Sequence, residues 1–168
     1  MRVGILSDTH VPDAYVHPYV LETLEERGVE LILHAGDITS LEFLTRLREI
    51  APVKAVRGNA DRMSLPDELV VEVEGLKVGL IHGHRLPLDS QSLTYKALDM
   101  GVELLVFGHT HRFFYGEFEF HGEKVKLLNP GSPTLPRRSD PTFGVAEIDK
   151  GKFSFEVFKP YRTGWDWP

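Results

Sequence analysis

The sequence predicts an α/β domain in which two mixed β-sheets lie face to face with helices outside. Three observations carry that expectation. Apolar strand-like runs alternate with amphipathic helical stretches through the first hundred residues. Shorter strands joined by glycine-containing turns then follow, in hairpin style. Finally, five of the apolar runs end next to a side chain able to bind a metal ion.

Taken in order, "RVGIL" reads as a strand. "YVLETLEERG" reads as a helix with Val20, Leu21 and Leu24 on one face and Gly28 as its stop. "LILHAG" is the second strand. "SLEFLTRLREI" is a helix with Ser40 as N-cap and Leu41, Leu44 and Leu47 spaced by three. "VKAVRG" is the third strand, so the first part of the chain is βαβαβ, which implies parallel strands. "ELVVEVEGLKVGLIHG" holds two strands that meet at a turn near Gly75. A helix over residues 90–100 ends at Gly101, and "ELLVFG" is another strand. "FFYGEFEF", "KVKLLN", "FGVAEID" and "KFSFEVF" read as an antiparallel meander forming a largely antiparallel second sheet. The proline-rich "NPGSPTLPRRSDP" is a shaped loop, and the tail "RTGWDWP" is left open. No repeat or linker divides residues 1–168, which read as a single domain.

Composition narrows the chemistry. The 168 residues are 42% hydrophobic and 26% charged, as in ordinary globular chains. The net charge of −6 argues against a nucleic-acid or membrane-surface binder, which would carry a basic face. It is compatible with a small phosphorylated substrate if a bound cation supplies positive charge locally. There is no cysteine, which excludes disulfides, thiolate catalysis and cysteine-type zinc sites. No apolar run reaches membrane-spanning length, and "MRVGILSDTH" reads as a strand with polar residues after it rather than a signal peptide. A cytoplasmic protein is expected, with association into a homo-oligomer left open.

The polar residues that follow the strands form one set. "VGIL" leads to Asp8 and His10, "LILHAG" to Asp37, "VKAVRG" to Asn59, "VGLI" to His82, and "LLVFG" to His109 and His111. Open α/β sheets bind ligands beyond the carboxyl ends of their strands, so these residues can meet in one crevice. In extended backbone His109 and His111 would also point the same way. Seven ligands exceed what one open transition-metal site uses. Two divalent ions sharing a carboxylate use them well, and ions roughly 3.5–4 Å apart can clamp a phosphoryl displacement. The ligand types suit manganese, nickel, iron or zinc. Taken singly, each residue has an ordinary structural reading as a turn, cap or surface side chain; the ordered set does not. His84 lies two residues from His82, so either could be the ligand while the other faces substrate. His34, inside an apolar strand, reads as a satisfied core histidine. His17 and His121 read as exposed, and Arg137 and Arg138 as a solvated pair.

The ordered motifs "DTH", "GD", "GN", "HGH" and "GHTH" across residues 2–132 resemble the calcineurin-like metallophosphoesterase superfamily. The short length and "NPGS" resemble its small prokaryotic phosphodiesterase branch, related to the scaffold subunit of the eukaryotic retromer. That resemblance implies a four-layer αββα sandwich. It implies Asp8, His10 and His111 on a first metal, Asn59, His82 and His109 on a second, and Asp37 bridging them. It also implies a hydroxide between the ions as nucleophile. The expected cofactor is two divalent ions per chain, manganese first. One departure stands out: where larger phosphatases of the family have a histidine after "GN", this chain has Ala60, then Asp61. The missing imidazole argues against strong action on monoesters with poor leaving groups. His84 is then the candidate for the acid role and, with Asn59, for substrate binding. The expected function is a phosphodiesterase or phosphatase acting on a small phosphate ester. The alternative is a non-catalytic protein-interaction scaffold of the same fold. A nuclease of the superfamily is disfavoured, because only 57 residues follow His111 and the second sheet needs them.

Overall fold

A computed structural model describes residues 1–161; the tail "RTGWDWP" lies outside the described residues. The order is β1 (Arg2–Leu6), α1 (Pro18–Glu26), β2 (Leu31–His34), α2 (Leu41–Ile50), β3 (Val53–Ala55), β4 (Glu68–Val73), β5 (Leu76–Ile81), α3 (Ser90–Met100), β6 (Leu104–Val106), β7 (Phe113–Phe120), β8 (Glu123–Pro130), β9 (Phe143–Asp149) and β10 (Lys152–Phe158). One five-stranded sheet has the order β10-β9-β1-β2-β3 and the other β4-β5-β6-β8-β7. Both are mixed, as expected. β1, β2 and β3 run parallel, as do β5, β6 and β8, while β4, β7, β9 and β10 are antiparallel to their neighbours.

Side-chain alternation along the strands builds the layers. Ile5, Leu33, Val78, Leu80, Leu104 and Val106 fill the space between the sheets. Their neighbours Leu6 and Ile32 turn outward to Val20, Leu24, Phe43 and Leu47 of α1 and α2. On the other side, Ile81 and Leu105 turn outward to Leu93 and Ala97 of α3. The result is the four-layer αββα sandwich. Each helix starts on a side-chain cap that satisfies a free backbone N–H: His17 Nδ1 accepts from Tyr19 N (3.1 Å), Ser40 Oγ from Phe43 N (3.1 Å) and Asp89 Oδ1 from Ser92 N (2.7 Å).

Two expectations need correction. The last four strands are not one meander. β7 and β8 form a hairpin in the second sheet, with β8 parallel to β6. The chain then crosses back, and β9 pairs with β1 in the first sheet. Hairpin signals fix adjacency within each pair, but nothing local says which sheet a pair joins. In α2, Leu41 is 63% exposed, and the buried face is Phe43, Leu44 and Leu47. At about 100° per residue, two steps of three drift by about 120°, so Leu41 cannot share a face with Leu47. Among the described residues, no helix is long and apolar enough to cross a membrane.

Candidate metal centre

Because β1, β2, β3, β5 and β6 all end on the same side of the sandwich, the loops after them meet there. The first two are laced together by Asp8 N to Gly36 O (2.9 Å), His10 N to Asp37 O (3.0 Å) and Val11 N to Ile38 O (3.2 Å). Gly108 N donates to His82 O (3.1 Å), tying the last two. The glycines of "GN" and "GHTH" are there for close approach. A Cβ on Gly58 would collide with Asp37 Oδ1, and one on Gly108 with Ser7 Oγ.

The convergence yields two clusters of ligand-competent atoms: Asp8, His10 and His111, and Asp37, His82 and His109. They are contiguous. His10 Nε2 lies 3.4 Å and His82 Nε2 3.2 Å from the same oxygen, Asp37 Oδ2. His111 Nε2 lies 3.3 Å and His82 Nε2 3.8 Å from Asp8 Oδ1. Asn59 joins the second cluster, its Oδ1 being 3.0 Å from His82 Nε2. All seven predicted ligands are therefore brought together. The two histidines of "GHTH" arrive differently from the expectation. Neither has extended backbone, φ being +74° at His109 and +61° at His111, whereas the division of the two imidazoles between the clusters is the one the resemblance implied. Asp8, His10 and Asp37 also have positive φ. Such backbone is uncommon outside glycine and concentrates at functional sites.

Each carboxylate has one oxygen occupied and one turned inward. Asp8 Oδ2 accepts from Ser7 Oγ (2.6 Å) and His109 N (3.0 Å), while buried Oδ1 has no hydrogen-bond partner. Asp37 Oδ1 accepts from Ala60 N (2.8 Å), leaving Oδ2 to the histidines. The imidazoles are oriented in the same way. His82 Nδ1 donates to Ala35 O (2.8 Å) and His111 Nδ1 to Leu135 O (2.6 Å), so each directs Nε2 at the cluster. His82 Nε2 then faces Asn59 Oδ1 at 3.0 Å, His109 Nδ1 at 3.2 Å and Asp37 Oδ2 at 3.2 Å. A proton placed among these atoms pairs two of them, whereas a cation can draw on the lone pairs of all four. His10 Nε2 is likewise buried without a hydrogen bond. The donor set fits divalent cations.

The electrostatics agree. Burial alone would raise the Asp8 carboxyl, but the neighbouring imidazoles of His10, His111 and His82 hold it far below the carboxylate range. Burial also opposes ionisation of Asp37, and His82 more than offsets it, so its pKa is lowered. The Asp8 carboxylate raises His10 against burial. His82 is pushed down by burial and up by Asp37 and Asp8, with a net rise. His109 and His84 are lowered, first by burial and then by the charge of His82.

His84 lies beside the second cluster, its ring centroid 5.4 Å from that of His82 and 6.3 Å from that of His109. Its buried Nδ1 has no hydrogen-bond partner. His34 is a core histidine, as expected: it is fully buried, its Nδ1 accepts from Gly36 N (3.1 Å), and its Nε2 pairs with Thr9 Oγ1 (3.0 Å). Burial pushes its pKa down to about 4. His17 and His121 are exposed, His17 with a capping role the sequence reading did not assign. Arg137 and Arg138 are also exposed, and the charge of Arg137 reaches His109.

Several supporting residues were not anticipated. Asp61, 8% exposed, accepts from Asp37 N (2.8 Å), Gly58 N (2.9 Å) and Thr39 N (2.8 Å). Buried Ser132 Oγ donates to Asp8 O (2.8 Å) and Thr134 Oγ1 to Thr9 O (2.9 Å). Buried Asn129 Nδ2 donates to Gly108 O (3.2 Å) and Thr110 Oγ1 (2.9 Å). The polar residues inside the proline-rich "NPGSPT" were the available signal for the last three.

Comparison with known proteins points the same way. Residues 1–151 match the family model described as "Calcineurin-like phosphoesterase superfamily domain". A "Probable metallophosphoesterase" from Methanothermobacter thermautotrophicus is 45% identical, over 98% of this chain and 94% of its own length. Vps29 from Entamoeba histolytica, solved in complex with zinc, superposes with a TM-score of 0.79 at 28% identity, covering 96% of this chain and all of the other. A protein characterised as a novel archaeal phosphodiesterase superposes with a TM-score of 0.72 at 26% identity, covering 94% of this chain and all of the other.

Proposed function

The chain belongs to the calcineurin-like phosphoesterase superfamily, and from that premise we propose that it is a phosphodiesterase acting on a small phosphate ester with two divalent metal ions, manganese first among them. The observation that carries the reading is the crowding of three ligand-competent atoms within 3.2 Å of His82 Nε2, beside a second cluster that shares Asp37 Oδ2. Asp8, His10 and His111 would hold one ion, Asn59, His82 and His109 the other, and Asp37 both. When bound, the ions supply Lewis acidity, furnishing a nucleophile at neutral pH and neutralising phosphoryl charge.

The chain's own residues do the rest. Asp37 keeps Oδ1 on Ala60 N, so Oδ2 is held in place between the clusters. Asn59 sits exposed at the mouth, where its amide can also meet a phosphate oxygen. Because Ala60 offers no imidazole, the proton for the leaving oxygen needs another source. His84 fits that part, with an unpartnered Nδ1 beside the second cluster. The lack of an acid at Ala60 supports a diester substrate over a monoester with a basic leaving group, and the likeness to the archaeal phosphodiesterase supports the same choice.

A scaffold role draws on the likeness to Vps29. The complete ligand set favours the enzyme. The deciding experiment combines metal analysis with a panel of phosphomonoesters, phosphodiesters and cyclic nucleotides. The expected result is two ions per chain after manganese loading and preferential turnover of a diester. Asp37→Ala should cost more activity than His10→Ala or Asn59→Ala. A plateau at one ion, or no metal-dependent turnover anywhere in the panel, would overturn the proposal.

A further inference from the structure

Against the loops that carry His82 and His109 lies a largely apolar cavity of about 430 Å³, lined by Leu88, Leu93, Phe107 and Phe114 together with Thr110 and Arg112. Two contacts join it to the site. Thr110 is the residue between His109 and His111, so one cavity wall is chain-adjacent to a ligand of each cluster. Leu88 packs on Gly83, between His82 and His84: a Cβ there would lie 2.8 Å from Leu88 Cδ2. Asn129 fixes the Thr110 wall by donating to both Gly108 O and Thr110 Oγ1.

Resting on the phosphoesterase reading, we propose that this cavity is the substrate's specificity subsite and takes an aromatic ring carried on the phosphate. Phe114 leaves 40% of its surface exposed beside Phe107, while the neighbouring Phe113 stacks its ring on Phe155. Phe114 already lies against Phe107 (6.3 Å between centroids) and Phe118 (6.4 Å), so its ring is braced before any ligand arrives. Braced aromatic faces beside an apolar void favour a flat ring, which gains stacking as well as burial. The guanidinium of Arg112, unpaired with any carboxylate among the described residues, can cover the ring's other face. The volume lies in the range of small-molecule sites.

The test compares methylphosphonate with phenylphosphonate, which share a phosphorus headgroup and differ in the ring. Binding to the manganese-loaded protein is measured by calorimetry and by inhibition of turnover. Phenylphosphonate should bind about tenfold tighter, the gain expected for one ring stacked on an aromatic side chain. Phe114→Ala should bring the two ligands close together by weakening phenylphosphonate alone. Ser90→Trp, which fills the cavity from an exposed helix-start position, should do the same without removing any packing. Thymidine 5′-monophosphate separates the sources of such a ring: a comparable gain, lost in the same variants, assigns the cavity to a nucleobase, and no gain assigns it to a simple aryl ester. Equal affinities of the two phosphonates in the unmodified protein, or a preference surviving both substitutions, would overturn the subsite. Absence of metal-dependent turnover together with absence of methylphosphonate binding would instead count against the phosphoesterase reading itself.

Discussion

His82 concentrates the chemistry of the site in one atom. Its Nδ1 donates to Ala35 O, so its Nε2 is the nitrogen left free to take a proton or a cation. Protons and metal therefore compete at the raised imidazoles of His82 and His10, and metal affinity should climb with pH on both sides of the ordinary 6.5. The metal-free protein should respond differently. Raised histidines stabilise the fold fully below 6.5 and lose that contribution as pH rises through their folded values. The lowered Asp8 and Asp37 stabilise it above 3.8 and lose that contribution as pH falls. Between 3.8 and 6.5 the lowered His34, His84 and His109 work against the raised pair, because their contribution is lost as pH falls. Below about 4 the carboxylates decide, so the urea midpoint of the metal-free protein should fall as pH drops from about 4 towards about 2, and a midpoint unchanged over that range would contradict this. His84 makes a separate prediction. His84→Ala should slow substrates with basic leaving groups by about 10²-fold or more while leaving nitrophenyl esters and metal content nearly unchanged. Parallel leaving-group slopes for the two proteins would remove His84 from the acid role.

Between the strands and the ligands stand the loops, whose shape is fixed by buried side chains rather than by regular hydrogen bonding. Asp61 is the clearest case, because its carboxylate receives three backbone N–H groups from the Asp37 and Asn59 loops. Removing it leaves two buried donors and one half-buried donor unsatisfied at the point where Gly58 and Asp37 touch. Asp61→Ala should cost about 3 kcal/mol or more, which lowers the melting temperature by roughly 6–12 °C. Metal affinity should fall with it. Asp61→Asn keeps one acceptor oxygen and should recover part of the loss. A thermal midpoint for Asp61→Ala within a degree of the parent would show that the loops hold without this clamp.

Across the whole molecule, the two sheets contribute candidate ligands from opposite sides: Asp8, Asp37 and Asn59 follow strands of one sheet, and His82, His109 and His111 follow strands of the other. Cations held between them bind the folded state and find no such arrangement in the unfolded chain. Manganese at about a hundred times its dissociation constant should then add about 2.7 kcal/mol, or roughly 5–10 °C in melting temperature. A chelator should reverse the gain. An unchanged melting curve at saturating manganese would mean that the clusters do not bind it.

The residues themselves determined the alternation of strands and helices, the Ser40 cap, the Gly101 stop and the set of seven side chains following the strands. Each of these follows from periodicity or from positions near one another in the chain, and local physics suffices for them. The resemblance carried by the ordered motifs supplied the four-layer sandwich and the pairing of ligands into two groups. Tertiary structure alone decided that β9 returns to β1, because strand pairing joins segments more than a hundred residues apart and leaves no local signature. It also decided that His109 and His111 leave extended backbone. Both have left-handed backbone, and each is held by a distant partner: the buried Asp8 carboxylate receives His109 N, and the Leu135 carbonyl receives His111 Nδ1. Asp61, Asn129 and Ser132 stayed hidden in the sequence for the same reason. A buried polar side chain acquires its meaning from the distant backbone groups it satisfies, and only the folded chain brings them within reach.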